Sequence, residues 1–321
     1  MEMELTEIKP FLWVERWSPE SVEDLILPKN IKNFFLNVVK DGQLNQNLIL
    51  QGSQGCGKTQ TIKTLCKITK QDVLFLNGSS EGRFLDTVRN QVINFGTTVS
   101  MFSDKKKVIF FDEFDGTTND VMLCLRGVIE QLHNNVCFIF TCNNLNKIIE
   151  PIQSRCVVLK YTPILKEEKP QMMSDVFKRV SYILDQQNIE YDKRVILELI
   201  KVHFPDTRQL LNVLQRYSVS GSIDSAILAT FSDIKVNDLI KYLKEKNFPE
   251  VRKWIVANLD NDASSVLRMV YDALYEHLDG PSIASCVLIV AKYQYQSAFV
   301  ADQEINLLAA LTEIMIESNF K

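Results

Sequence analysis

The chain has 321 residues, of which 46% are hydrophobic and 24% are charged, and its formal net charge is −4. This length predicts about two or three globular domains, each with its own core. The acidic balance argues against capture of nucleic acid by the whole surface, although a local basic stripe is compatible with it.

Two further patterns exclude whole classes of protein. The longest apolar run, residues 286–291, is far shorter than the roughly 18 residues of a membrane span, and residues 1–4 lack the basic start of a signal peptide. We therefore expect no membrane partner and a cytoplasmic location. The seven cysteines have no C-x-x-C spacing, which predicts free thiols and no zinc ribbon.

The first half of the chain alternates short apolar runs with amphipathic helical patterns. Strands are predicted at residues 48–50, 73–76, 108–111 and 137–141. Short, nearly continuous apolar strands of this kind are typical of a parallel sheet covered by helices on both faces. The predicted fold class is therefore α/β in this part of the chain.

From Pro163 onward the pattern is helical, with a break at the serine-rich stretch 218–225. Asp206 is placed to cap the helix that follows Pro205. We predict an α/β domain at 1–162, a small helical domain at 163–224 and a larger all-helical domain at 225–321.

The strongest motif is G-S-Q-G-C-G-K-T at residues 52–59, which matches the P-loop pattern G-x-x-x-x-G-K-[ST] in full. Its glycines let backbone N–H groups surround phosphate oxygens, and the N-terminus of the next helix adds partial positive charge. Lys58 is predicted to reach the β and γ phosphates of ATP, and the Thr59 hydroxyl to bind Mg²⁺. The predicted contacts of this loop are Gly52, Gly55, Cys56, Gly57, Lys58, Thr59 and Gln60.

A second motif, V-I-F-F-D-E-F-D at residues 108–115, is an apolar strand that ends in carboxylates. Asp112 is predicted to hold Mg²⁺ and Glu113 to act as general base toward the attacking water. A second carboxylate aimed at water favours hydrolysis. The alternative, a P-loop kinase, would instead need arginines over the phosphates, and phosphate release without an acceptor would separate the two.

Four further segments, together with these motifs, resemble the AAA+ subunits of DNA sliding-clamp loaders, as in replication factor C and T4-like bacteriophages. W-V-E-R-W-S-P at residues 13–19 is similar to the family's N-terminal box, and P-I-Q-S-R-C at 151–156 contains its S-R-C triplet. T-C-N at 141–143 and F-P-D-T-R-Q-L at 204–210 match its two sensor segments. The resemblance implies an AAA+ domain, a helical lid and a helical collar.

By this resemblance, the N-terminal box and Ile26 surround the adenosine, Asn143 is sensor 1, Arg155 is an arginine finger for a neighbouring subunit, and Arg208 is sensor 2. The box departs from the family at Trp17 and Ser18, and Phe204-Pro205 stands where a glycine is usual. Met122 replaces a glutamine that commonly precedes the arginine at 126. The predicted adenosine contacts are Val14, Glu15, Arg16, Trp17 and Ile26.

The same resemblance implies a sliding clamp, primer–template DNA held through its phosphates, and a pentamer of copies of this chain with a distinct loader subunit, in host cytoplasm if phage-encoded. DNA contacts are predicted at Arg83, Thr117 and Thr118. Clamp contacts are predicted at Val99, Met101 and Phe102. The run Lys105-Lys106-Lys107 is interpreted as a solvated turn rather than a DNA patch.

Two other functions fit parts of the pattern. An AAA+ translocase of the branch-migration type shares the nucleotide motifs, but the S-R-C triplet and the N-terminal box disfavour it. A structural loader subunit that binds ATP without cutting it would be expected to lack Lys58 or Glu113, and both are present.

Overall fold

The computed structural model describes residues 10–79, 85–98, 104–161, 168–219, 221–223, 236–258, 263–275 and 277–321. The chain divides into two compact units, Met1–Ser225 and Ala226–Lys321. Each unit is built around its own hydrophobic residues.

A five-stranded parallel sheet forms the centre of the first unit, with the strand order β2-β3-β4-β1-β5. The four predicted strands are confirmed, and each is a run of apolar residues that is buried or half-buried along most of its length. The strands are β1 (Leu48–Gln51), β2 (Val73–Asn77), β3 (Lys107–Asp112), β4 (Val136–Cys142) and β5 (Val157–Lys160).

Strand β5 was not predicted from the sequence. It pairs in parallel with β1 at the edge of the sheet. Its four residues are exposed or only partly buried, and the Val157 side chain is 43% exposed. A strand so short and so weakly buried lacks the continuous apolar run that identified the others.

Helices cover both faces of the sheet, as the continuous apolar strands predict. One core lies between the sheet and α6 and is rich in phenylalanine, with Phe111, Phe114 and Phe140 in mutual contact. The other lies between the sheet and helices α2 and α3. The helices up to β5 are α1 (Trp13–Arg16), α2 (Lys29–Asp41), α3 (Lys58–Thr69), α4 (Leu85–Thr87), α5 (Ile93–Thr97), α6 (Asn119–Leu132) and α7 (Glu150–Gln153).

The run of three lysines is only partly the solvated turn predicted from the sequence, because Lys105 and Lys106 are half-buried ahead of the strand whereas Lys107 is the first residue of β3. Lys105 Nζ donates to Thr69 O at the end of α3, and Lys106 Nζ donates to His133 O just after α6. Lys107 is buried and donates to Phe95 O and Thr98 O at the end of α5. Each lysine therefore satisfies carbonyl groups at a different helix C-terminus, where a cation is favoured.

The lid follows β5 within the same unit. It contains α8 (Glu168–Gln186), α9 (Lys193–His203), α10 (Thr207–Ser218) and a short pair of strands, β6 (Glu190–Tyr191) and β7 (Ser222–Ile223). The predicted N-cap is confirmed, because the Asp206 carboxylate accepts a hydrogen bond from Gln209 N at 2.8 Å. This cap fixes where α10 begins.

The second unit is helical in its described parts. Its helices are α11 (Val236–Lys244), α12 (Phe248–Ala257), α13 (Ala263–Leu274), α14 (Gly280–Ser297) and α15 (Gln303–Glu317). All five helices contribute to one hydrophobic core, which includes Leu243, Ile255, Leu267 and Ile314. Within the described parts of the chain, no helix combines the length and the hydropathy needed to cross a membrane.

Candidate active site

A cavity of about 850 Å³ lies in the first unit beside the carboxyl ends of β1, β3 and β4. Ligands of parallel α/β sheets bind at this edge, and the volume is ordinary for a cofactor-sized molecule. The N-terminal segment, the loop before α3, the acidic end of β3 and lid helices α8 and α10 all contribute to its walls. The cavity therefore brings together motifs that are up to about 200 residues apart in the sequence.

The glycine-rich loop adopts the backbone conformation that its sequence requires. Gly55 and Gly57 have φ angles of +68° and +90°, which side-chain-bearing residues rarely adopt. Gly52 is needed for a different reason: a Cβ there would lie 2.8 Å from Tyr161 Cβ. The loop leads directly into α3, whose first residue is Lys58.

Lys58 is buried, and its three N–H groups all have partners from the chain itself. The Nζ atom donates to Gly52 O at 2.8 Å, to Ser53 O at 2.7 Å and to Asn143 Oδ1 at 3.0 Å. The bond to Asn143 joins the P-loop lysine to the predicted sensor at the end of β4. A phosphate group at this position would have to replace at least one of these acceptors.

Cys56 lies inside the same loop, in a position that neighbours both Lys58 and the lid. Burial raises the pKa of the Cys56 thiol above its usual value, while the positive charge of Lys58 acts in the opposite direction. The net shift is upward, so the thiol is neutral near pH 7. It therefore adds no negative charge against a phosphate.

Two hydroxyl groups converge on the carboxylate of Asp112. Thr59 Oγ1 lies 2.9 Å from both carboxylate oxygens, and Thr141 Oγ1 donates to Oδ1 at 2.5 Å. Oxygen ligands of this kind suit Mg²⁺, which commonly keeps several waters and takes only one or two protein oxygens. The predicted pair Thr59 and Asp112 thus fits the ion, because the chain holds both oxygens together.

Thr141 was not singled out from the sequence, yet it connects the two acidic residues. Besides its bond to Asp112, its Oγ1 accepts a hydrogen bond from Glu113 N at 3.0 Å. The only signal in the sequence is its place two residues before Asn143 at a strand end. Because β3 and β4 are parallel neighbours, their ends meet at one edge of the sheet.

Glu113 and Asn143, the predicted general base and sensor 1, both lie at the edge of the sheet where β3 and β4 end. Glu113 has an exposed side chain and a left-handed backbone with a φ of +53°, and both residues line the cavity. The Asp115 carboxylate accepts from Asn143 N at 3.3 Å and from Asn144 N at 3.2 Å. Asp115 was also missed as a positioning group, and it links the two strand ends a second time.

The N-terminal box forms one wall of the cavity. Val14, Glu15, Trp17 and Ile26 line it, whereas Arg16 does not. The Arg16 guanidinium lies 5.8 Å from the centroid of the Trp17 ring. The predicted contact of Arg16 with the nucleoside is thus not reproduced in the cavity wall, because this side chain is exposed and lies against the indole.

The lid holds the N-terminal box through contacts that the sequence did not indicate. Gln215 of α10 accepts from Trp13 N and donates to Phe11 O, both at 2.9 Å. Arg179 of α8 donates to Trp17 O at 3.1 Å and also lines the cavity. The N-terminal box and the lid therefore form this wall of the cavity together, and hydrogen bonds from α8 and α10 hold the box in place.

Arg208 lies on the first turn of α10 and lines the cavity with an exposed side chain. Beside it, the lid meets the P-loop directly, since Thr207 Oγ1 donates to Gly55 O at 3.0 Å. The approach is so close that a Cβ on Gly55 would lie 1.7 Å from Asp206 Oδ1. The predicted sensor 2 therefore lies next to the glycine-rich loop before α3.

Arg155 is not among the residues that line the cavity. Its guanidinium is bound to the Glu130 carboxylate of α6 through Nε and Nη2, and its Nη1 donates to Pro151 O at 2.7 Å. The hydrogen bond and the charge of Arg155 lower the pKa of Glu130 below its usual value. Within one chain, the predicted finger is thus separate from the site that its own subunit builds.

The predicted macromolecular contacts have mixed outcomes. Arg83, Val99, Met101 and Phe102 lie outside the described residues. Thr118 is exposed, but the Thr117 side chain is 8% exposed and its hydroxyl donates to Gly78 O at 3.4 Å. In this structure the Thr117 hydroxyl serves an internal contact, so it is not presented to DNA.

Met122, the departure from the family pattern, is buried within the phenylalanine-rich core under α6. An apolar side chain at this position packs where the family glutamine would offer polar groups. Arg126, one helical turn later, is exposed.

Two family models match the chain. The model described as ATPase family associated with various cellular activities (AAA) matches residues 48–163, and the model described as sliding-clamp-loader large subunit, AAA+ ATPase lid domain, matches residues 168–229. The first match contains the P-loop and the acidic strand end. The second contains α8 to α10, which close the cavity.

Relatives among known proteins match over most of their length. The sliding-clamp-loader large subunit of Enterobacteria phage T4 is 28% identical over 98% of both chains. The replication factor C small subunit of Picrophilus torridus is 32% identical over 71% of this chain and 70% of its own. Both similarities extend well beyond the nucleotide motifs.

Among solved structures, the RuvB Holliday junction branch migration motor of Thermotoga maritima has a similar fold. It has a TM-score of 0.51 and 14% identity, over 72% of this chain and 80% of that one. The structural similarity supports a shared AAA+ fold, but an identity this low carries no argument about the substrate.

Proposed function

The chain belongs to the family of replication factor C small subunits and phage sliding-clamp-loader large subunits, and on that premise we propose how its cavity works. The chain is an ATP-hydrolysing subunit of a sliding-clamp loader, and the loader opens a clamp and places it on primer–template DNA. The observation that carries this is the joint placement of Lys58, Thr59, Asp112 and Asn143 at one sheet edge. That arrangement suits a nucleoside triphosphate.

The P-loop binds the phosphates of ATP. Backbone N–H groups of residues 55–59 surround the phosphate oxygens, and the N-terminus of α3 adds its partial charge. Lys58 exchanges one or more of its bonds to Gly52 O, Ser53 O and Asn143 Oδ1 for the β and γ phosphates. Because the ammonium is already held in place, binding requires little rearrangement of the lysine.

Hydrolysis uses the acidic strand end. Thr59 and Asp112 would hold Mg²⁺, which would supply positive charge to the phosphate oxygens. Glu113 takes a proton from the attacking water, and Asn143 orients that water or the γ-phosphate. Thr141 and Asp115 keep these groups in register, since they bond to both strand ends.

Arg155 completes the site of a neighbouring subunit. A guanidinium is a rigid cation that can neutralise charge developing on the γ-phosphate during transfer. Arg155 lies outside the lining of the cavity of its own chain, which supports a role in trans. Arg208 approaches the γ-phosphate from the lid and couples it to lid closure.

A mixing experiment tests the trans arrangement. Lys58→Ala removes the phosphate lysine but keeps the finger, whereas Arg155→Ala keeps the site and removes the finger. Each variant alone should hydrolyse ATP slowly, and a mixture should recover activity, because an intact site can then face an intact finger. A mixture no faster than the sum of its parts would contradict action in trans.

The working assembly we propose is a pentamer of copies of this chain with one distinct loader subunit, arranged as an open spiral around DNA. Such a heterologous, non-closing contact suits a helical duplex. DNA is held through phosphates without base readout, because any primed site must be accepted. ATP favours the spiral that holds clamp and DNA, and hydrolysis releases both.

The deciding measurement is the ATPase rate with and without primed DNA and the purified clamp. Joint stimulation by clamp and primed DNA supports a loader. Stimulation by a branched junction with indifference to the clamp would instead support a branch-migration motor. Tight ATP binding with no turnover under any condition would support a structural subunit.

A further inference from the structure

We infer that Glu130 is a positioning residue for ATP hydrolysis, and that it orients the Arg155 guanidinium for the neighbouring subunit's nucleotide. The inference rests on the proposed trans role of Arg155. It is carried by the contacts that the arginine makes within its own chain.

The backbone of Arg155 is fixed to the central sheet. Asn47 Nδ2 donates to Arg155 O at 3.3 Å, and Asn47 Oδ1 accepts from Phe138 N at 2.9 Å. The Asn47 carbonyl accepts from Val157 N at 2.8 Å, two residues beyond the arginine. The start of the side chain is therefore held by β4 and β5 and cannot drift with a surface loop.

Glu130 holds the other end of the side chain. It lies on α6, one helical turn beyond Arg126, and its Oε1 atom accepts from both Nε and Nη2 of Arg155. Pro151 O accepts from Nη1 at 2.7 Å. Three of the five guanidinium N–H groups are thus engaged by the chain itself.

The remaining N–H groups are still available for a phosphate. One belongs to Nη1, whose other contact among the described residues is Ser154 Oγ at the outer limit of 3.5 Å, and one belongs to Nη2. A guanidinium can bind two oxygens through such a pair of N–H groups. Arg155 can therefore meet a phosphate while Glu130 still holds it.

The same geometry argues against the opposite role, in which Glu130 locks the finger away. The two side chains are 30% and 54% exposed, and exposed ion pairs contribute little free energy in water. Such a pair is a weak lock against a triphosphate, which carries more negative charge than a carboxylate. As a positioning residue, Glu130 needs only to restrict the rotamers of the long Arg155 side chain, which improves catalytic positioning.

The test is a double-mutant cycle measured as steady-state ATP hydrolysis by the purified chain with Mg²⁺. The chain concentration is raised until the rate per chain no longer increases. Glu130→Ala should lower kcat about tenfold and leave the KM for ATP within about twofold, because the variant loses orientation rather than nucleotide contacts. Glu130→Gln, which keeps an acceptor oxygen, should recover part of the rate.

The cycle separates positioning of Arg155 by Glu130 from a general structural role of Glu130. In an Arg155→Ala background, Glu130→Ala should cause no further loss, because the residue acts through the arginine. The matched control is Glu198→Ala, which removes an exposed ion pair to Lys201 in the lid and should leave kcat unchanged. Thermal melting should be the same for the Glu130 variants and the parent chain.

Each other outcome overturns the inference in a recognisable way. If the kcat of Glu130→Ala is unchanged or higher while that of Arg155→Ala is low, the positioning role of Glu130 is refuted and the trans role of Arg155 stands. An equal further loss in the double variant assigns Glu130 a role independent of the finger. If Arg155→Ala hydrolyses ATP at the rate of the parent chain, both the trans role of Arg155 and the positioning role of Glu130 are refuted.

Discussion

The nucleotide cavity and the corner around Arg155 belong to the same unit but are organised in opposite ways. In the cavity, groups from distant segments bond to one another, as Lys58 does with Asn143 and Thr59 with Asp112. At the corner, Arg155 is bound to α6 and α7 residues on its own and lies outside the cavity lining. The chain thus holds Arg155 apart from its own nucleotide motifs, as the proposed role in a neighbouring subunit requires.

The largest effect should follow from Lys58→Ala. The variant loses the cation that the P-loop aims at the β and γ phosphates, so hydrolysis should fall on the order of 10³-fold and ATP affinity should fall with it. Titration with a fluorescent ATP analogue and phosphate release measure the two effects. Lys40→Ala, an exposed lysine of α2, is the control, and equal losses in both variants would break the assignment of the cavity.

Glu113→Gln should separate binding from hydrolysis. The amide is nearly the same size as the carboxylate but cannot accept the proton of the attacking water, so kcat should fall roughly 10²- to 10⁴-fold. ATP affinity should stay within a few-fold of the parent chain. A large loss of affinity together with a small loss of kcat would move the general base elsewhere.

Thr141→Val should have a smaller effect, about tenfold on kcat. The change removes a hydroxyl that donates to Asp112 and accepts from Glu113 N, and leaving such groups unsatisfied costs about 1–3 kcal/mol. The Mg²⁺ concentration at half-maximal rate should also rise. Thr69→Val is the matched control, because the Thr69 hydroxyl is buried and forms no hydrogen bond to any residue that the structure describes.

Asp115→Asn should have the smallest effect, roughly a threefold loss of kcat, because the amide oxygen can still accept from Asn143 N and Asn144 N without the charge that strengthens both bonds. Activity measured at saturating ATP tests this. Asp41→Asn, at the exposed end of α2, serves as control. A loss as large as that of Glu113→Gln would give Asp115 a direct chemical role.

Local patterns predicted most of the central sheet and the P-loop. Four strands are continuous apolar runs, and the glycines at 55 and 57 have the positive φ angles that their motif demands. Strand β5 escaped because its side chains are only partly buried, so its pattern carries little signal. The sequence did not predict how Lys105, Lys106 and Lys107 are held, because their partners are carbonyl groups at helix ends, 9 to 36 residues away.

The candidate site was predictable where a residue carries its own motif and not where it acts through a neighbour. Lys58, Asp112 and Glu113 belong to recognisable motifs. Thr141, Arg179 and Glu130 matter because of contacts that span roughly 25 to 160 residues of sequence, which only the folded chain brings together. Single-sequence patterns do not record such distances.

The contact between Gly55 and the start of α10 has a mechanical consequence. The Thr207 hydroxyl holds the Gly55 carbonyl, and the Asp206 carboxylate fills the space where any larger residue would project. In the proposed binding mode, a shift of the Gly55 peptide would therefore press on the first turn of that helix. Gln215 on the same helix accepts a hydrogen bond from Trp13 N, so such a shift would also be transmitted to the N-terminal box.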